Sequence, residues 1–302
     1  MTQVVPPPIR NKIEQRLKTD LTCIEQLTGG TWGRTYLVGD ANHKWVLRVE
    51  IPPRPRMRKI PFVQQKAYSV GMAVPRIIDY NLELLADEKF IWILEEYIEG
   101  AEFSTQHFDR RILQPLSADL GRQLSLLHTI EIDGFGSLSD DLTKAKYATW
   151  DEWLDAQEKN IEHTRLIAGI DATDISRIYQ VYQQLRHSYK GSARLCHGDF
   201  AGDNLIIEND HLAAAIDWEN AMACDPAYDV AYWYFWRSNL EWLDFLIPGY
   251  QPVDAAIFRE RIICHSVLLS LDFIVYYSEE QYSNEGVASA LQTLRMNLNY
   301  LN

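Results

Sequence analysis

The sequence predicts an α+β protein with two unlike lobes. Three observations carry the prediction. The first hundred residues alternate short apolar runs with glycine, proline and asparagine turns, the pattern of an antiparallel sheet. Beyond Gly100 the strand signals stop and apolar residues recur at helical spacing. Within that second part, the stretch 195–217 places Asp199, Asn204 and Asp217 on loops beside two short apolar runs, Leu205–Ile207 and Leu212–Ile216. With 302 residues, 47% hydrophobic and 24% charged, the chain can bury a substantial core in one large or two smaller domains. We place the boundary so that residues 1–100 form a sheet with helices, ending in a hinge at 95–100, and residues 101–302 form a mostly helical lobe.

The elements follow in order. Pro8 to Lys18 reads as a short helix, with proline at its start and Ile9, Ile13 and Leu17 on one face. Leu21–Leu27, Arg34–Val38 and Trp45–Val49 read as strands, the first two joined by Thr28-Gly29-Gly30-Thr31-Trp32-Gly33. Glycines there would let the backbone approach a phosphate closely, although a plain hairpin turn needs glycines as well. Arg48 interrupts the third apolar strand, either as an edge residue facing water or as a phosphate ligand. The run from Pro52 to Lys59 is basic and broken by prolines, and reads as a solvated loop or a supplementary anion contact. Phe62–Val70 reads as a helix, Val74–Tyr80 and Phe90–Leu94 as strands, and Glu95 to Gly100 as the exit from the sheet. In the second lobe Leu116, Leu120, Leu124 and Leu127 line one face of a helix ending near His128. Gly134-Phe135-Gly136 breaks the chain. Trp150–Leu166, Ile175–Tyr189, Pro226–Trp236, Ile257–Tyr277 and Val287–Leu301 read as helices, the third apolar nearly all round and so buried.

Charge narrows the class of ligand. The net charge is −13, and residues 191–302 contribute five arginines, no lysine and 16 acidic residues. Such a surface repels nucleic acid and attracts cations. It serves either solubility or a cationic ligand. No run approaches 18 apolar residues and Met1–Arg10 has no apolar signal core, so neither a membrane span nor a signal peptide is expected. Cys23, Cys196, Cys224 and Cys264 are scattered without a CxxC pair, as in a reduced, cytoplasmic protein.

The chemistry sits in 195–217. A carboxylate free to take a proton, next to an Asn and an Asp able to hold a divalent cation, is what phosphoryl transfer requires. Hard cations such as Mg²⁺ choose oxygen ligands.

These residues carry a resemblance. His197-Gly198-Asp199, Asn204 five residues on, Ile216-Asp217-Trp218 and Asp225-Pro226-Ala227-Tyr228-Asp229-Val230-Ala231 together resemble the aminoglycoside phosphotransferase family, which has the protein-kinase-like fold. Gly134-Phe135-Gly136, Thr149-Trp150, Ala221-Met222 and Phe235-Trp236-Arg237 resemble the hygromycin B phosphotransferases in particular. The resemblance implies an ATP-dependent (or GTP-dependent) kinase that moves a γ-phosphoryl group to a hydroxyl of a small cationic acceptor, acting as a monomer or dimer without nucleic acid or membrane. Asp199 would be the catalytic base, and Asn204 and Asp217 would hold Mg²⁺. Gly29, Gly30, Gly33 and Arg48 would meet the phosphates, and Glu96 and Ile98 would offer backbone groups to the base. His197 would orient the loop and Asp229 would anchor it. Asp203, Glu219, Asn220 and Glu241 are candidate acceptor contacts; Asp272, Glu279 and Glu280 are further acidic candidates for an ammonium group. In this fold a lysine on the third strand pairs with a glutamate on the next helix. Here the strand carries Arg48 and the helix position falls near Ile60 or Pro61, so Arg48 is expected to work without that partner. Two other readings stay open: a kinase of another small alcohol such as choline, homoserine or a sugar, and a silent nucleotide-binding pseudokinase.

Overall fold

The computed structural model describes residues 5–27, 34–50, 55–82, 91–139, 143–237 and 239–301. The glycine turn with Gly29, Gly30 and Gly33 lies outside the described residues.

The amino-terminal elements are α1 (Pro7–Leu17), β1 (Cys23–Leu27), β2 (Arg34–Gly39), β3 (Lys44–Glu50), α2 (Pro55–Arg58), α3 (Ile60–Ser69), β4 (Ile77–Asn81) and β5 (Ile91–Glu96). The five strands make one antiparallel sheet in the order β1-β2-β3-β5-β4. Side chains alternate across a strand, so the sheet has two different faces. Tyr36, Val38, Leu47, Val49, Trp92 and Leu94 share one face with Val5, Ile9, Ile13 and Leu21, so α1 and the chain beside it cover that side. On the other face Ile91 and Ile93 meet Met57, Ile60, Val63 and Ala67 of α2 and α3, and this cluster runs without a break into the core of the second lobe. That continuity seats one lobe on the other.

Three expectations need correction here. The basic loop after β3 contains a helical turn, α2. Its last residue, Lys59, is buried rather than solvated, and its ammonium donates to the Ala221 carbonyl at 2.6 Å. Strand β5 also runs on through Glu95 and Glu96 instead of ending at Leu94, because those residues pair with Val46 and Trp45 of β3.

Gly100 turns the chain at φ +133°, and a Cβ there would lie 2.7 Å from the Ile207 carbonyl. The absence of a side chain lets the next strand, β6 (Ala101–Glu102), approach the hairpin that follows Asn204 and pair with Ile206 and Ile207. Then come α4 (Arg110–Leu127), β7 (Phe135–Leu138), β8 (Ala145–Tyr147), α5 (Trp150–Glu158), α6 (Ile161–Ala168) and α7 (Ala172–Ser188). The rest is β9 (Arg194–Cys196), β10 (Leu205–Glu208), β11 (His211–Ala215), β12 (Met222–Cys224), α8 (Ala227–Arg237), α9 (Glu241–Tyr250), α10 (Ala255–Glu279) and α11 (Asn284–Tyr300). Strand pairing therefore resumes after Gly100, in sheets ordered β11-β10-β6 and β8-β7-β12-β9. These strands of two to five residues are too short to show periodicity in sequence. The expected helix Trp150–Leu166 is two helices, broken at Lys159-Asn160.

Helix starts are set by side-chain caps. Asp109, Asp171 and Asp254 each accept two backbone N–H groups, Ser283 accepts one, and Thr149 with Glu152 forms a capping box. Helix α10 is long and apolar enough to cross a bilayer by length and composition alone. In the fold it is a core helix, buried from Ile262 to Leu271 and packed against α8, α7 and α11.

Candidate active site

The site is built on two adjacent hairpin strands. The loop from β9 to β10 carries His197 to Asn204, and β11 delivers Asp217. Leu205 pairs with Ala215, and the Ile216 N–H donates to the Asn204 carbonyl at 2.9 Å. Asn204 and Asp217 thus stand side by side at the open end of the β10–β11 pair.

The loop is held rigidly from below. Asp229, fully buried on α8, accepts the His197 N–H at 2.8 Å, the Gly198 N–H at 2.9 Å and His128 Nε2 at 3.1 Å. It anchors the loop, as the resemblance implied. His197 places its Nε2 2.9 Å from the Ile216 carbonyl and accepts the Asp199 N–H on Nδ1 at 3.3 Å, which sets Nε2 as the protonated nitrogen. One imidazole therefore links the Asp199 loop to the strand end before Asp217. Gly198 sits at φ +79°, and a Cβ would lie 2.1 Å from the Asn220 carbonyl. Glycine is the residue that fits between these two loops.

Asp199 is half-buried at the top of the loop. Burial raises its pKa above the ordinary carboxylate range; the opposing influences are His197 and hydrogen bonds from Tyr232 and Asn220, while the charge of Asp217 pushes it further up. Asn220 Nδ2 donates to Asp199 Oδ2 at 3.1 Å. Two donors therefore orient one carboxylate that keeps acceptor capacity for a substrate hydroxyl proton. Asn204, buried, spends Nδ2 on the Asp199 carbonyl at 2.9 Å, which leaves Oδ1 for a cation. Asp217 has left-handed backbone angles (φ +63°, ψ +69°), a conformation aspartate tolerates. An amide oxygen and a carboxylate side by side are hard donors and fit Mg²⁺.

On the opposite lobe Arg48 reaches down from β3. Its Nε lies 2.8 Å from Glu95 Oε1, and its Nη1 donates to Asp217 Oδ1 at 3.3 Å. Burial alone would lower the guanidinium pKa, but Glu95, Asp217 and Glu219 outweigh it and hold the group charged. The expectation that Arg48 lacks an acidic partner is therefore overturned. The partner comes from β5 rather than from the helix. Arg48 faces Ile93 across the ladder, and Glu95 is two residues on, hence on the same face. The available signal was a pair of acids, Glu95-Glu96, at the end of an apolar strand beside a strand that carries an arginine. Lys59 and Tyr232 were missed as well. Lys59 carried no pattern, and Tyr232 was hidden in an aromatic run.

The remaining candidates separate. Among the described residues the Ile98 N–H and C=O make no hydrogen bond, whereas the Glu96 N–H is spent on the Arg76 carbonyl at 2.9 Å and its carboxylate pairs with Arg76. The Glu96 N–H is therefore already engaged. Asn220 orients Asp199. Asp203 is exposed beside Asn204, and Glu219 lies within electrostatic reach of Arg48. Glu241 pairs with Arg110 at 2.8 Å and Glu279 with His163 at 2.7 Å. Of the aromatic run, Trp233, Tyr234 and Phe235 are core, while Trp236 is exposed and stands edge-on to Phe273 of α10. Next to Phe273 stands Asp272, an exposed residue whose pKa the surrounding protein pushes up to about 7. The charges of Asp272 and Asp199 both reach the Tyr228 phenol and, with its burial, raise its pKa. Arg237 lies over the rings of Trp233, Phe103 and Trp242, and its Nη2 would meet a Cβ on Gly202 at 2.5 Å.

The chain is similar to known phosphotransferases. The hygromycin-B 4-O-kinase of Escherichia coli is 23% identical over 221 residues, which span 71% of this chain and 62% of that enzyme. A thermostable variant of aminoglycoside phosphotransferase APH(4)-Ia, solved as a ternary complex with AMP-PNP and hygromycin B, superposes with a TM-score of 0.75 at 17% identity, covering 97% of this chain and 98% of that one. The GDP complex of aminoglycoside 2'-phosphotransferase-IIIa superposes with a TM-score of 0.69 at 13% identity, covering 97% and 98%. The fold is thus the kinase-like one that the resemblance implied. Residues 24–257, more than three quarters of the chain, match the family described as the phosphotransferase enzyme family, APH, and the chain belongs to that family.

Proposed function

We propose that this protein is an ATP-dependent kinase of a small cationic aminoglycoside resembling hygromycin B, and that Asp199 is its base. The observation that carries the reading is the Asp199 carboxylate itself. It is oriented by Asn220 and Tyr232, raised in pKa by burial, and set beside the Asn204–Asp217 oxygen pair. Asp199 accepts or aligns the proton of the acceptor hydroxyl. Such a base contributes roughly 10²–10⁴-fold. Mg²⁺, when bound, neutralises charge on the nucleotide phosphates. Asn204 Oδ1 and the Asp217 carboxylate would hold it, and Arg48 would face the phosphates from the other lobe. Because the transition state needs little covalent help, positioning and charge carry the rate.

The acceptor side is acidic and aromatic. Asp272, exposed and with a raised pKa, is the acidic candidate for the acceptor's ammonium group, next in the chain to Phe273, which packs edge-on against Trp236. A sugar ring with an ammonium substituent fits such a surface.

A panel of hydroxyl acceptors assayed by ADP or GDP release, with ATP and GTP as donors, tests the reading. Turnover with hygromycin B or another aminoglycoside is expected, together with resistance in a susceptible cytoplasmic host. Turnover with choline, homoserine or a neutral sugar alone would refute the acceptor assignment. No turnover with any acceptor, and an unchanged Asp199→Asn variant, would refute catalysis.

A further inference from the structure

We propose that Glu95, locked in place by Gln64, is the positioning residue that keeps Arg48 extended toward the nucleotide phosphates, a role the sequence places on no helix acid. The inference rests on the phosphotransferase reading. Glu95 is the penultimate residue of β5, on the same face as Arg48, and is almost wholly buried. Its Oε1 lies 2.8 Å from Arg48 Nε, an ion pair whose N–H does not point at the oxygen. Its Oε2 accepts Gln64 Nε2 at 3.0 Å. Gln64, buried on α3, also donates from Nε2 to the Pro75 carbonyl at 2.7 Å. Both N–H groups of that amide are spent, so the carboxylate orientation is set by helix α3 and by the backbone entering β4.

The second partner of Arg48 cannot do this work. Asp217 meets Arg48 Nη1 at 3.3 Å, but Asp217 is also the carboxylate placed to hold the cation. A carboxylate drawn to a divalent cation loses much of its hold on a neighbouring guanidinium. An arginine pinned by Asp217 alone would be released when nucleotide and metal arrive. Glu95 touches none of the cation donors, so it remains paired throughout. The chain Gln64–Glu95–Arg48 thus couples α3 to the phosphate site through β5.

The test is a double-mutant cycle read by binding as well as by rate. ATP binding is measured calorimetrically in EDTA and again with Mg²⁺, for wild type, Glu95→Gln, Arg48→Met and the double variant. KM for ATP, KM for the acceptor and melting temperature are recorded alongside. Glu95→Gln is expected to weaken ATP binding about tenfold in both conditions, the size of one charge-assisted contact. The acceptor KM stays unchanged, and the double variant binds no more weakly than Arg48→Met. Gln64→Met keeps the ion pair but frees the carboxylate, and is expected to weaken ATP binding about threefold, an effect that vanishes in the Arg48→Met background. This second variant decides the matter if Glu95→Gln does not fold. Losses that multiply in the double variant, or a Glu95→Gln affinity within twofold of wild type, overturn the inference alone. A folded wild type that binds no ATP in either condition overturns the inference and the functional reading together.

Discussion

Asp229 holds the loop 197–204 from below and Asp199 stands on it, and replacing each by its amide should move stability in opposite directions. Asp229 accepts two backbone N–H groups and one imidazole nitrogen, all within 3.1 Å and fully buried. An asparagine there keeps one acceptor oxygen and turns an NH₂ toward the remaining donor. Two of these contacts share Oδ2, so an asparagine that keeps its oxygen there loses the Gly198 contact, and a hydrogen bond to a charged group contributes about 1.5–3 kcal/mol. That is a large share of the roughly 5–15 kcal/mol that holds a domain folded. Asp199 is the reverse case. Burial raises its pKa, so the folded state binds a proton more tightly than the unfolded chain does. The resulting stability is present below about pH 4, the unfolded value, and is lost as pH rises through the higher folded value. At pH 7.5 the ionised group therefore destabilises the fold, and Asp199→Asn removes that penalty while Asn220 keeps a partner. Thermal unfolding at pH 7.5 with single-turnover assays of both variants decides. Asp199→Asn should lose roughly 10²–10⁴-fold in rate with an equal or higher melting temperature. Asp229→Asn should melt well below wild type. An Asp199→Asn protein that melts far lower, or an Asp229→Asn protein as stable as wild type, would refute the division of roles.

Asp272→Asn should raise KM for a cationic acceptor about tenfold and leave KM for ATP unchanged, as expected for the loss of one charged hydrogen-bond partner. In the wild type, affinity for a permanently charged acceptor should improve as pH rises through about 7, where Asp272 ionises, and the variant should show no such step. Asp225 is buried, yet its pKa is lowered, since the His265 hydrogen bond and the Arg261 charge overcome the cost of burial. Its stabilising share is present above about pH 3.9 and is lost as pH falls below it. The melting-temperature gap between wild type and Asp225→Asn should therefore narrow in a series from pH 7 down to pH 3. Gly198→Ala should lower the melting temperature and the rate together, because its Cβ would lie 2.1 Å from the Asn220 carbonyl at a positive φ.

What the sequence determined by itself was local or carried by spacing. The amino-terminal sheet was legible because its strands are long enough to alternate. The long helices were legible because their apolar faces repeat, as in Leu116, Leu120, Leu124 and Leu127. The stretch 197–217 was legible because the spacing of Asp199, Asn204 and Asp217 follows from one hairpin. What only the tertiary structure decided depends on contacts between residues far apart in the chain. The short strands β6, β7, β8, β9 and β12 form because other strands lie beside them, and α9 was hidden by its internal Pro248. The partner of Arg48 is separated from it by 47 positions and reaches it across a ladder whose register no spacing reveals. Glu241 had the composition of a ligand contact, but Arg110 claims it. Asp272 looked like any surface acid, and only the fold brought its charge within reach of Tyr228. Chemistry that needs a fixed spacing along one loop is written in sequence. A pairing between two strands, or the burial of a carboxylate, exists only once the chain has closed around it.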